Sequence, residues 1–209
     1  MPSLQLHMLR VAAVAKMICD NSSATIDSRV VIIECLFHDM GNIVKSDLTV
    51  FPDLVEPEGR EYWEVIKKEY VEKYGAEQHA ANAALAREVG LPQEVIGVMN
   101  KTGFSKVASI AADSSLELKV CQYADMRVGP YGILPMEERL REGRERYTAR
   151  SDGYSVGLGF TRSTEEFERL MQSAQEIEKQ VFAAASISPE NITDASAASV
   201  IEELWEYPI

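Results

Sequence analysis

One segment limits the fold of this chain more than any other. The run Val31-Ile32-Ile33-Glu34-Cys35-Leu36-Phe37 is apolar nearly all round, then breaks into His38-Asp39, with Gly41 two residues further on. A helix that is apolar on every face is buried in a core. The segment from Arg29 is therefore predicted as the central helix of a bundle, stopping at Gly41, with Asp27 and Ser28 as N-cap candidates. A histidine and an aspartate at the end of such a helix must find partners there.

Helix signals dominate the rest of the chain, and strand signals are few. A first helix is predicted over about residues 4–19, with others over 60–74, 77–89, 93–100 and 105–112. Another begins at Ser114 or Ser115 and is stopped by Gly129-Pro130. The segment 136–147 suits a solvated helix, 164–185 a long amphipathic one, and 195–205 a last one. Residues 42–59 read as a loop around Pro52, Pro57 and Gly59, and residues 151–162 as a glycine-rich mobile loop. Its Gly157–Phe160 stretch is no dinucleotide loop, because no strand precedes it. The expected architecture is all-α: residues 1–150 form a helical bundle, and 151–209 supply the glycine-rich loop and C-terminal helices packed on it.

Composition narrows the class. Hydrophobic residues make up 46% of 209, as in a folded globular protein. No apolar run is long enough to span a membrane, and the N-terminus lacks a signal-peptide layout. Cys19, Cys35 and Cys121 are odd in number and form no CxxC pair, so reduced, buried thiols in a cytoplasmic protein are expected, and a thiolate metal site is not. The net charge of −12 disfavours a nucleic-acid polymer as partner. A small phosphate ester remains compatible with it if positive charge is concentrated locally, most compactly by a metal ion.

Three polar positions break apolar helical faces. Positions 7, 11, 14 and 18 share a face and read His7, Val11, Val14, Ile18. Positions 118, 121, 125 and 128 read Leu118, Cys121, Asp125, Val128. Burying an unpaired carboxylate costs several kcal/mol. Two carboxylates and two imidazoles on inward faces resolve that cost together if a divalent cation lies between them. Adjacent His38 and Asp39 point about 100° apart on a helix, so both reach one ion only near the helix end. Each residue has an ordinary alternative. A lone inward histidine is often a hydrogen-bonded core residue, His-Asp occurs by chance, and Asp125 could be a salt-bridged core acid.

The order of these elements gives a resemblance. His7 in LHMLRVAAVA, His38-Asp39 in CLFHDMGNIVK and Asp125 in LKVCQYADMRVGPYG are similar to the metal-binding residues of the HD-domain metal-dependent phosphohydrolases, over about residues 4–148. The resemblance implies an HD-domain-like bundle of about five core helices, to which the helix pattern of the chain adds a C-terminal helical extension. It also implies a metal site of His7, His38, Asp39 and Asp125, and hydrolysis of phosphate esters, often nucleotides. Dinuclear relatives carry further histidines between the HD pair and the last aspartate. Here only His79 is present, and VMNKTGF stands where a second would be, so one metal is expected rather than two. Asn42 and Ile43 stand where some relatives have a glutamate acid; Asn42 also replaces the lysine of HD-GYP diesterases, whose GYP element is absent. Mixed N/O ligands fit Mn, Fe, Co, Ni, Zn or Mg.

The supporting residues follow. Asp39 and His79 are the catalytic candidates: the carboxylate as a base orienting water, the imidazole as proton donor or phosphate contact. Asn42, Lys45 and Arg127 are candidate substrate-binding residues, with Lys119 a further cation near the motifs. Glu34, one turn before His38, is a candidate acceptor for the second N–H of that imidazole. The expected function is hydrolysis of a small phosphate ester, and the rival is an HD-type binding or regulatory module without turnover. Oxygen chemistry at a di-iron centre would need more histidines. A homo-oligomer is left open.

Overall fold

The computed structural model describes residues 1–49, 55–148 and 163–209, so the glycine-rich stretch 151–162 lies outside the described residues. Ten α-helices make up this part: α1 (Pro2–Asp20), α2 (Ser28–Phe37), α3 (Arg60–Tyr74), α4 (Gln78–Glu88), α5 (Gln93–Met99), α6 (Val107–Ala112), α7 (Leu116–Arg127), α8 (Met136–Thr148), α9 (Thr164–Phe182) and α10 (Asp194–Leu204). No strand is present among the described residues, only two isolated β-bridges. The protein is all-α, and no described helix is long and apolar enough to cross a membrane.

The helix starts follow local chemistry. Asp27 caps α2 by accepting from the Val30 N–H at 3.1 Å. Ser115 caps α7, and Ser163 with Glu166 forms a capping box on α9. In α1 the fully buried Ala12, Ala13 and Ala15 leave room for close neighbours, and α1 packs against α2, α7 and α10. Helix α2 also packs on α5 and α7, as its apolar circumference requires. Helix α9 lies on α6 and α7, and its apolar stripe Phe167, Met171, Ala174, Ile177 and Val181 joins the same core as α1. The C-terminal helices thus cover the bundle directly. Helix α8 is solvated along most of its length, yet it anchors Met136 and Leu140 in the core.

Two expectations need correction. Regular α2 ends at Phe37, not at Gly41, with residues 38–41 in turns. Arg127, expected as a phosphate clamp, is 3% exposed and spends its guanidinium on the protein itself. It donates to the carbonyls of Leu134, Pro189 and Ile192 and to the Tyr123 hydroxyl. Five N–H donors in a planar fork suit this job of tying α7 to the segment before α10.

Arg127→Met should therefore lower stability by about 2–4 kcal/mol, because three carbonyls lose their partner in a buried place. Chemical denaturation measures it; a loss below about 0.5 kcal/mol would show the clasp to be dispensable.

Candidate metal centre

Helices α1, α2 and α7 pack on one another in pairs, and each brings one element of the motif to their common end. His7 comes from the first turns of α1, His38 and Asp39 from the turn after α2, and Asp125 from the last turn of α7. The His7 Nε2 atom lies 3.7 Å from Asp39 Oδ2 and 3.5 Å from Asp125 Oδ1. The His38 Nε2 atom lies 3.7 Å and 3.5 Å from the same two oxygens. The two rings stand 5.5 Å apart between centroids, tilted by 52°. All four sequence-expected ligands are thus brought to one place.

These gaps are too long for good hydrogen bonds, which run from about 2.7 to 3.2 Å. They are close to the spacing of neighbouring ligands on one ion, since ligand bonds of about 2.0–2.2 Å separate adjacent donors by about 3–3.5 Å. His38 supplies the sharper test. Its Nδ1 lies 2.9 Å from the Cys35 carbonyl oxygen, which makes that nitrogen the N–H donor and leaves Nε2 as a lone pair. The Nε2 atom is buried and has no hydrogen-bond partner. An orphaned lone pair beside two carboxylates is what a divalent cation satisfies, so the residues fit a metal.

The electrostatics agree. Burial lowers the His38 pKa, but the Asp39 and Asp125 carboxylates outweigh it and hold the imidazole well above its ordinary value. Burial raises the Asp125 pKa, but its interactions with the His38 and His7 imidazoles override it and hold the carboxyl well below its ordinary range. The cluster is open on one side: the Asp125 side chain is 39% exposed, against 9% for that of His38.

Glu34, the candidate acceptor for His38, does not take that role. The Cys35 carbonyl takes that place, while Glu34 turns inward, 1% exposed, and accepts from the Thr102 hydroxyl at 3.3 Å. The pKa of Glu34 is raised chiefly by burial. A carbonyl one turn back is reached by the ring without any side-chain reorganisation.

Asn82 is the residue that sequence reasoning missed. In a continuing helix the Gly41 N–H would bond the Phe37 carbonyl and the His38 carbonyl would receive the Asn42 N–H. The Asn82 amide intercepts both: its Oδ1 accepts from Gly41 N at 2.9 Å, and its Nδ2 donates to the His38 carbonyl. The Asn42 N–H turns back to Asp39 O at 2.9 Å instead. This side chain takes the two groups that a further turn of α2 would use. Gly41 permits the approach, since a Cβ there would lie 2.8 Å from Asn82 N. Nothing in the sequence pointed to this asparagine.

The remaining candidates fall nearby. Lys45, in the short helical turn Asn42–Lys45, donates from Nζ to Gln78 Oε1. His79, next to Gln78 on the first turn of α4, is exposed at the surface. Its pKa is lowered, first by partial desolvation and then by the Lys106 cation, with Lys45 adding to the fall and Asp39 opposing it. His79 does not belong to the group of ligand atoms at the cluster. Asn42 Oδ1 is buried and has no partner. Lys119 is buried within α7.

The HD domain family matches residues 5–126, well over half of the chain, and the protein belongs to this family, the HD-domain metal-dependent phosphohydrolase superfamily. HD domains bind divalent metals, and His7, His38 and Asp39 here form a group able to hold one. No curated protein and no solved structure matches the chain.

Asn82→Ala should leave a folded protein whose divalent-metal affinity falls about 10–100-fold, the usual effect of losing a residue that orients ligands. Calorimetric titration with Mn(II) reads this directly. Unchanged affinity would mean that the turn holds its shape without the amide.

Proposed function

We propose that this protein hydrolyses a small phosphate ester, such as a nucleotide, with one divalent ion held by His7, His38, Asp39 and Asp125. The observation that supports this best is the buried, partnerless Nε2 of His38 facing two carboxylates beside the equivalent nitrogen of His7. An ion bound there, drawn from Mn, Fe, Co, Ni, Zn or Mg, would supply Lewis-acid charge to a phosphoryl oxygen and lower the pKa of a water.

The chain's own residues have distinct parts in this reading. Asp39, fixed by the 38–41 turn, orients the attacking water and accepts its proton at a carboxylate oxygen. The open side at Asp125 admits the ester. Lys45, beside Gln78, offers positive charge to a phosphate in a protein whose net charge is −12. Asn42, in the turn that follows the ligand pair, is a substrate-binding residue in this reading. His79 is neutral at pH 7 because its pKa is lowered. A phosphoryl group arriving beside it raises its proton affinity, so the ring takes up a proton as substrate binds and returns it to the leaving oxygen. Arg127 is engaged by backbone carbonyls and is not part of this reading. The free thiols of Cys19, Cys35 and Cys121 suit a cytoplasmic setting.

Incubating metal-free protein with a panel of nucleotides and a generic phosphodiester, with and without Mn(II), tests the activity. Metal-dependent phosphate release supports an enzyme, whereas saturable binding without release would make the protein a binding module. On any substrate so found, His79→Gln should keep one ion per chain while kcat falls about 10²–10⁴-fold, the usual scale for proton-transfer catalysis. Unchanged kcat and KM would return His79 to an ordinary surface residue.

A further inference from the structure

One helical turn beneath the His/Asp cluster lies a second group of ligand-type side chains. Glu34 and Cys35 sit on α2 about one turn before His38 and Asp39, and Cys121 sits one turn before Asp125 on α7. One turn of helix is about 5.4 Å. Both Sγ atoms and a Glu34 carboxylate oxygen lie within 4.8 Å of one another. All three residues are buried, at 1%, 0% and 2% exposure respectively. Their separation in sequence concealed the grouping, which is why isolated buried thiols are the natural reading of the chain alone.

Buried cysteines ordinarily serve as small apolar fillers. The carboxylate argues for more here. Glu34 forms no ion pair within 4 Å among the described residues, and its hydrogen-bond donor is the neutral Thr102 hydroxyl at 3.3 Å. The ligand atoms of Glu34, Cys35 and Cys121 all lie within 4.8 Å of one another, so the three buried side chains converge on one place rather than on separate contacts. The Cys121 thiol also reaches the Val31 carbonyl at 3.9 Å, which adds a neutral oxygen to the rim. Two sulfurs and one carboxylate make a softer donor set than the N/O cluster above, and soft thiolate ligands select zinc-like ions over magnesium or manganese.

We propose that Glu34, Cys35 and Cys121 form a second, structural cation site for a thiophilic divalent ion such as zinc, bracing α2 against α7 directly beneath the residues that carry His38 and Asp125. On binding, the two thiols lose their protons to solvent and coordinate as thiolates, and the carboxylate completes a set of three protein ligands. The site is independent of the hydrolytic reading, since neither its donors nor its role involve a substrate.

Cd(II) titrated into the full-length, reduced, metal-free protein tests the proposal, because thiolate coordination to cadmium produces a near-ultraviolet charge-transfer band that N/O ligands do not. The band should saturate at one ion per chain in the wild type. It should persist in Cys19→Ser, and also in His7→Ala, which weakens only the upper cluster. It should vanish in the double variant Cys35→Ser/Cys121→Ser, while Glu34→Gln, which keeps both thiols, should weaken Cd(II) binding by more than about tenfold. The wild-type titration decides the matter even if the double variant does not fold. Absence of the band there, or its loss in Cys19→Ser, would overturn the proposal.

Discussion

Everything near the functional end of this protein depends on two carboxylates and two imidazoles facing one point. Left to themselves, Asp39 and Asp125 would repel across a partly buried space, and His38 would hold an unsatisfied lone pair there. The gaps of 3.5–3.7 Å between nitrogens and oxygens are those of ligands gathered round a centre, not of groups bonded to each other. Three mutually packed helices hold this arrangement, so the rigidity of the α1–α2–α7 core becomes the rigidity of the site. The tightness of that core comes from small side chains, with Ala12, Ala13 and Ala15 of α1 fully buried among its neighbours.

Ending α2 at the right residue is the second requirement. A helix running on through Met40 would bond the Gly41 N–H to the Phe37 carbonyl and the His38 carbonyl to the Asn42 N–H. Asn82 takes both of those groups itself, the Gly41 N–H and the His38 carbonyl. The same contact brings α4 against the site, and with it His79 and the Lys45–Gln78 pair. One asparagine therefore couples the ligand geometry to the surface on which an anionic substrate is proposed to bind.

Much of this was legible in the chain. The period of apolar residues identified the helices, and α3 agreed in both bounds, because Gly59 and Gly75, both at positive φ, flank it. His7, Asp125 and the His38-Asp39 pair stood out because each interrupts an apolar face. The misreadings share a cause: they concern partners distant in sequence. Arg127 looks like a free cation until Pro189 and Ile192 fold over it, and Glu34 looks like the natural partner of His38 until the Cys35 carbonyl proves nearer. The stop at Phe37 depends on a side chain far along the chain, and Cys35 and Cys121 meet only when α2 packs on α7. Local pattern reports what a residue needs; tertiary contact decides which group supplies it.

The central claim is that His7, His38, Asp39 and Asp125 together hold a single divalent ion. Native mass spectrometry of the protein loaded with Mn(II), an ion that favours nitrogen and oxygen over sulfur, addresses it most directly. The account predicts one manganese per chain in the wild type and none in Asp125→Asn, where the amide keeps the shape and removes the charge. Equal manganese in wild type and Asp125→Asn would contradict it.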